Sequence, residues 1–148
     1  KHITKKKIIN QVDLIEKFYK KKFNKKPNIA ITGLNPHCES NYKSSEEKRI
    51  IAPAIKYLSK NRYKIKGPFA ADTVFTKENL KSFDVIIGMY HDQVLTPVKT
   101  LFGFDAINIT LGLPFIRISP DHGPNITMLG KNLSNPQSLI KALKFLDK

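Results

Sequence analysis

The sequence predicts an α/β fold with a largely parallel or mixed sheet, and three observations carry the prediction. Short β-branched runs, at 28–33 and 84–88, alternate with stretches of helical period. Each run empties into a loop built from Gly, Pro, Asn or Asp, as open α/β strands do. The 148 residues, 41% apolar and 26% charged, suit about one soluble domain and exclude a disordered chain.

The elements follow in order. Residues 7–23 place Ile8, Val12, Ile15 and Tyr19 on one helical face, widened by Ile9, Phe18 and Phe23, with lysines opposite. Lys25-Lys26-Pro27 ends that helix, and 28–33 (NIAITG) reads as a buried strand running into Leu34-Asn35-Pro36-His37. Ser44 and Glu47 have the spacing of a capping box, opening a helix to about Asn61 with Ile51, Ile55 and Leu58 as its buried stripe. Gly67-Pro68 reads as punctuation, followed by a short helix near 77–82 and a strand over 84–88. A helix extends from the Tyr90-His91-Asp92-Gln93 segment to Leu101. Two strands, 105–110 and 114–118, flank Leu111-Gly112-Leu113, and a loop over 120–124 follows. The last helix runs from about Pro136 to Phe145, with Ser134 as the expected N-cap and Gln137 as its partner.

The net charge of +14 raises a polyanion partner, but its distribution argues for less. Lysine supplies 23 of the 26 basic residues; only Arg49, Arg62 and Arg117 offer the bidentate fork that base and phosphate readers favour. Ten lysines fall in residues 1–26 against Asp13 and Glu16. With 18 isoleucines and 11 asparagines, the excess reads as compositional drift on a solvated surface. A basic nucleic-acid-binding domain is the reading of a different class, and it would show steep salt dependence. One cysteine, Cys38, excludes an intramolecular disulfide and fits a reducing compartment. No apolar run is long enough to span a bilayer, and the Lys-rich start lacks the apolar core of a secretory signal, so the expectation is a cytoplasmic protein with no membrane partner.

His37, His91 and His122 each follow a predicted strand, on loops where open α/β folds place ligands. Neutral imidazole is the commonest side-chain ligand for divalent transition metals, yet any one loop histidine is more often a plain hydrogen-bonding group. Lys99, Asn108 and Arg117 form a second constellation. Lys and Arg near a strand end suit a phosphate or carboxylate, and Arg117 stands out because it interrupts the apolar Leu113-Pro114-Phe115-Ile116 run.

The strings GLNPH (33–37), GPFAADT (67–73), MYHDQ (89–93), NITLGLPFIR (108–117) and DHG (121–123) occur in one order. Together they resemble 4-hydroxythreonine-4-phosphate dehydrogenase, the PdxA family of vitamin B6 biosynthesis, over roughly residues 8–146. The resemblance implies the C-terminal half of a chain about twice this length, in keeping with a first residue, Lys1, that is not methionine. It implies a two-domain fold like that of isocitrate and isopropylmalate dehydrogenases, paired as a homodimer with a shared active site. The expected division is a partial α/β domain for metal and substrate binding and dimerisation over 1–117, and a cofactor-loop and helix part over 118–148 that returns to the other domain. On that expectation Leu139, Leu143 and Leu146 would lack full cover.

The implied activity is oxidation of the 3-hydroxyl of 4-phosphohydroxy-L-threonine with NAD or NADP, followed by loss of CO₂ to give 3-amino-2-oxopropyl phosphate. The implied cation is divalent (Zn, Mg or Co). By the resemblance His37 and His91 match two of three metal-binding histidines, and the third has no counterpart in this chain. Asp72 matches an acid near the metal and is the candidate catalytic residue; Lys99, Asn108 and Arg117 match substrate-binding positions. His122 and Gly123, with Gly130, resemble the loop that receives the dinucleotide. The 148 residues alone are therefore expected to be inactive. A paralogue acting on threonate or erythronate 4-phosphate is the alternative within the class. Two segments depart from the family pattern: Cys38-Glu39-Ser40-Asn41-Tyr42 where a glycine-rich stretch is usual, and Pro124-Asn125 in the cofactor loop.

Overall fold

The computed structural model describes residues 2–38, 42–123 and 126–147. The chain divides into two compact units, one through Val94 and one from Leu95 onward. The boundary expected after Arg117 falls inside a strand of the second unit.

In the first unit, α1 (Lys5–Phe23) opens on Thr4, whose Oγ1 accepts the Lys7 amide at 3.2 Å, and closes on Asn24 in the left-handed region (φ 49°). Lys20, Lys21 and Lys22 sit at the negative end of its dipole. Strand β1 (Ile29–Thr32) is buried at all four positions, as a central parallel strand covered on both faces must be. It pairs in parallel with β2 (Ile65–Phe69) on one side and β3 (Val85–Ile87) on the other. Helix α2 (Ala52–Lys60) and α1 pack together, and Val12, Ile29, Ile31, Ile51, Ala54 and Leu58 form the fully buried centre. A short α3 (Lys77–Ser82) leads into β3. Asp84 pins the start of β3: its carboxylate accepts the Asn28 amide at 2.8 Å and pairs with Lys25 at 2.6 Å, while its carbonyl accepts the Tyr19 hydroxyl at 2.9 Å.

Two sequence expectations fail here for local reasons. Gly67-Pro68 is not a break between elements but lies inside β2, with a cis peptide between the two. Gly67 has φ +139°, and a Cβ there would stand 2.4 Å from the Ile31 carbonyl oxygen, so glycine permits the close approach at the β1–β2 register shift. The Ser44/Glu47 capping box does not form either. The segment begins as a π-helical turn, Glu47–Ile51, and Lys48 N is capped by Ser45 Oγ at 3.3 Å while Glu47 turns inward.

Helix α4 (His91–Phe102) continues from the first unit into the second. The second unit holds an antiparallel pair, β4 (Ile107–Thr110) and β5 (Arg117–Pro120), with α5 (Gln137–Leu146) packed on both. β5 starts three residues later than the 114–118 expectation, and Phe115 and Ile116 before it are exposed. Ser134 is not the N-cap of α5: Pro136 holds that position, Asn135 Oδ1 just before it accepts the Gln137 amide at 2.9 Å, and the Gln137 side chain reaches Asp105 instead. Ser138 is buried, its hydroxyl accepting Asp121 N at 2.9 Å and donating to Ala106 O at 2.5 Å. Leu139, Leu143 and Leu146 are 48%, 54% and 50% exposed, the uncovered stripe the sequence leads one to expect. Among the described residues no helix is long and apolar enough to cross a membrane.

Candidate functional site

The sheet order β2-β1-β3 sets the geometry of the first unit's candidate residues. All three strands are parallel, so the loops that follow them leave from one edge of the sheet. Asp72 follows β2, His37 follows β1 and His91 follows β3. Topology thus brings these three side chains, scattered over 55 positions of sequence, to one carboxyl edge. All three are exposed.

The loop bearing His37 is held by its own backbone. Gly33 N extends the β1–β2 pairing to Phe69 O at 3.0 Å. A Cβ on Gly33 would lie 2.4 Å from Cys38 Sγ and 3.2 Å from Asn35 O, so the loop folds back closely over this glycine. Glu47, 5% exposed, presents Oε1 to the amides of Leu34 and Asn35 at 2.9 and 2.6 Å. Asn35 Oδ1 then accepts His37 N at 3.0 Å, a local turn that sends the imidazole outward. Burial pushes the Cys38 thiol up, a shift the Gly33 backbone opposes and the Glu47 and Asp72 charges reinforce. At neutral pH it is a thiol and not the thiolate that metals or electrophiles require. Glu39 and the rest of 39–41, where the loop departs from the family pattern, lie outside the described residues, as do Pro124 and Asn125.

Met89 and Tyr90 carry β3 into α4, which His91 opens. His91 Nδ1 stands 2.7 Å from Asp92 Oδ1. That contact favours the tautomer with the proton on Nδ1 and the Nε2 lone pair free, the arrangement a metal-binding histidine needs. Asp72 lies in the turn after β2, anchored by the fully buried Val74 and by Asn79 Nδ2 donating to Thr73 O at 2.8 Å. Among the described residues no three His, Cys, Asp or Glu side chains stand close enough together to hold a metal ion. The donor chemistry nevertheless fits one: two imidazole donors at the ends of neighbouring strands, one with its tautomer set by a carboxylate.

The second unit places the anion-binding candidates. Asn108 faces Ser119 across the hairpin and Arg117 faces Thr110. Residues two apart on a strand and directly opposed residues share a face, so Asn108 and Arg117 stand diagonally on one side of the hairpin. Arg117 donates to Thr110 Oγ1 at 2.8 Å, which steadies the guanidinium at the exposed surface. Lys99, on α4, donates to Asp121 O at 2.5 Å and lies 3.4 Å from its carboxylate. That ties Lys99 to the residue just before His122, whose Nδ1 lies 3.2 Å from Gly123 O. His122 and Gly123 are exposed, and Gly130 takes φ +73° in an open turn. Sequence reasoning assigned no site role to Glu47, Gln93, Asp121 or Ser138. Gln93 stands in the MYHDQ string; the signal for Glu47 was masked by its capping-box spacing.

Comparison with known proteins adds three findings. The family described as pyridoxal phosphate biosynthetic protein PdxA matches residues 1–146. The chain is 49% identical to a 4-hydroxythreonine-4-phosphate dehydrogenase of Sulfurihydrogenibium sp. over 144 residues, covering 96% of this chain and 44% of that one. A relative of the same name from Bradyrhizobium diazoefficiens is 44% identical over 144 residues, with 42% of its length covered. Among solved structures, the 4-hydroxythreonine-4-phosphate dehydrogenases of Klebsiella pneumoniae (TM-score 0.79, 32% identity) and Burkholderia phymatum (TM-score 0.76, 33% identity) match 96% of this chain and 44% of theirs. The chain therefore spans less than half the length of the relatives it matches.

Proposed function

The chain belongs to the PdxA family, and from that premise we propose that it carries part of the site at which 4-phosphohydroxy-L-threonine is oxidised and decarboxylated to 3-amino-2-oxopropyl phosphate, a step toward pyridoxal phosphate. The observation that supports this reading most is the placement of His37 and His91 at the ends of adjacent parallel strands, with Asp92 beside the His91 ring. His37 and His91 would hold a divalent cation (Zn, Mg or Co), which when bound supplies Lewis acidity at the substrate hydroxyl and later at the ketone. NAD or NADP would accept the hydride.

The chain's own residues do the rest. Asp92 keeps the His91 ring in one tautomer, so the lone pair of Nε2 stays free for the cation. Lys99 and Arg117 neutralise the substrate's phosphate and carboxylate, and Asn108, on Arg117's face of the hairpin, orients a hydroxyl or ammonium. Asp72, which follows β2 at the same sheet edge as the histidines, is the residue proposed to accept a proton near the reacting carbon. His122, Gly123 and Gly130 frame the loop proposed to receive the dinucleotide pyrophosphate. In this reading the complete subunit has the two-domain isocitrate/isopropylmalate dehydrogenase-like fold, works as a cytoplasmic homodimer with a shared site, and the 148 residues alone do not turn over.

The test is NADH formation by a family-length protein carrying this chain, with 4-phosphohydroxy-L-threonine, threonate 4-phosphate and erythronate 4-phosphate compared. The expected result is turnover of the amino acid phosphate that stops on chelation and returns with a divalent cation. Preference for either sugar acid would replace the substrate, and chelator-resistant turnover would remove the cation.

A further inference from the structure

We propose that Gln93 is the positioning residue that fixes His37 and His91 relative to one another, acting through the backbone of both strand exits. The carboxamide is 6% exposed and makes three hydrogen bonds, each 2.7 Å long. Oε1 accepts from Thr32 Oγ1, at the last residue of β1, and from Met89 N, just past β3. Nε2 donates to Gly33 O, where the His37 loop begins. Gln93 itself lies two residues after His91 in the first turn of α4. One planar group therefore ties the exit of β1, the exit of β3 and the start of α4.

The chemistry admits few substitutes. Met89 N–H can only donate and Gly33 O can only accept, so the group between them must offer an acceptor on one side and a donor on the other. A carboxylate would set an oxygen against Gly33 O. An apolar side chain would take this partner from the Met89 amide and the Gly33 carbonyl and leave the Thr32 hydroxyl only its 3.3 Å bond to Ile87 O. Packing reinforces the arrangement. A Cβ on Gly88 would lie 2.6 Å from Val94 Cγ1, so the β3 exit and α4 are in contact there. Glu47 completes the restraint on the His37 side by holding the next two amides, Leu34 and Asn35.

This inference depends on the reading of His37 and His91 as cation ligands, and the experiment separates the two. Co(II) affinity of the protein is measured by calorimetry and visible absorption for the parent, H37A, H91A, Q93M, T32V and L58A, with amide exchange at Met89 followed in parallel. H37A and H91A are expected to lose binding. Q93M is expected to weaken it about tenfold, the usual size for a residue that orients a ligand, and to speed Met89 exchange. T32V, which removes the hydroxyl's bond to the carboxamide and its 3.3 Å bond to Ile87 O, should weaken it about threefold, and faster Met89 exchange in T32V decides the matter if Q93M does not fold. L58A, destabilised in the core away from these bonds, should keep Co(II) affinity within about twofold of the parent. Parent-like affinity in both Q93M and T32V overturns the positioning role and leaves the histidine reading standing. An equal loss in L58A overturns it too, since general destabilisation would suffice. Parent-like binding by H37A and H91A overturns both.

Discussion

The two units hold their candidate residues in different ways. In the first, the exposed side chains stand on loops whose backbones are gripped by buried polar groups, Glu47 and Gln93, behind a closed centre of Val12, Ile29, Ile31 and Leu58. In the second, Ser138 and Ala142 are the buried residues among those described, while Leu101, Phe115, Leu133 and Leu143 are exposed. There the candidate residues gain their geometry from one hairpin and from the Lys99–Asp121 pair. A short segment cannot close a core of its own, so its precision comes from strand register and a few hydrogen bonds. The exposed candidate metal ligands are thus steadied by buried polar groups beneath their loops, and the candidate anion binders by pairing.

Substitution in the two apolar sets gives the largest contrast. Leu58→Ala should cost about 2–5 kcal/mol in denaturant unfolding, because a fully buried side chain leaves a cavity. Leu143→Ala, on a half-exposed face, should stay within about 0.5 kcal/mol. Equal losses would erase the contrast between the units.

Next is Ser138→Ala, which strips the partner from Asp121 N and from Ala106 O and should cost about 1–2 kcal/mol. Faster exchange of the Asp121 amide is the measurement; unchanged exchange would mean the second unit is held by something other than this serine.

Acid sharpens the comparison from the first unit's side. The Asn28 amide, and then Lys25, hold the Asp84 carboxyl below the usual carboxylate range. A folded-state pKa below the unfolded value contributes stability that is full above the unfolded pKa of about 4 and fades as pH falls through the folded value. Asp84→Asn should therefore flatten the parent's loss of stability below about pH 4, read from unfolding midpoints across that range. An unchanged acid limb would detach Asp84 from it.

The smallest expected change in stability is at Arg117. Its bond to Thr110 lies at the surface, so Arg117→Met should move stability by no more than about 1 kcal/mol. Phosphate-ester binding by the family-length protein should nevertheless fall at least tenfold. A large stability loss with intact binding would make Arg117 a structural residue.

Much of this was legible in sequence because period and loop chemistry are local. The α1 face, the β1 and β3 runs, α3 and the α4 span follow the pattern of their own residues. β2 was not legible, since Gly67-Pro68 reads as a turn and only the approach of Ile31 explains a strand there. The role of Glu47 was hidden by a spacing that suits a cap, while its partners, Leu34 and Asn35, lie a dozen residues earlier. Gln93 could be quoted within a motif but not assigned, because its partners come from two other strand ends. His37 and His91 were nameable from their strings; that they leave one sheet edge is a property of strand order.

The proposed function has His37 and His91 holding one cation jointly. Co(II) affinity of the parent, H37A, H91A and the double variant forms a cycle that tests it directly. Each single variant is expected to lose nearly all of the binding and the double variant no more, a strongly non-additive result. Additive losses, or a single variant that binds as the parent does, would contradict it.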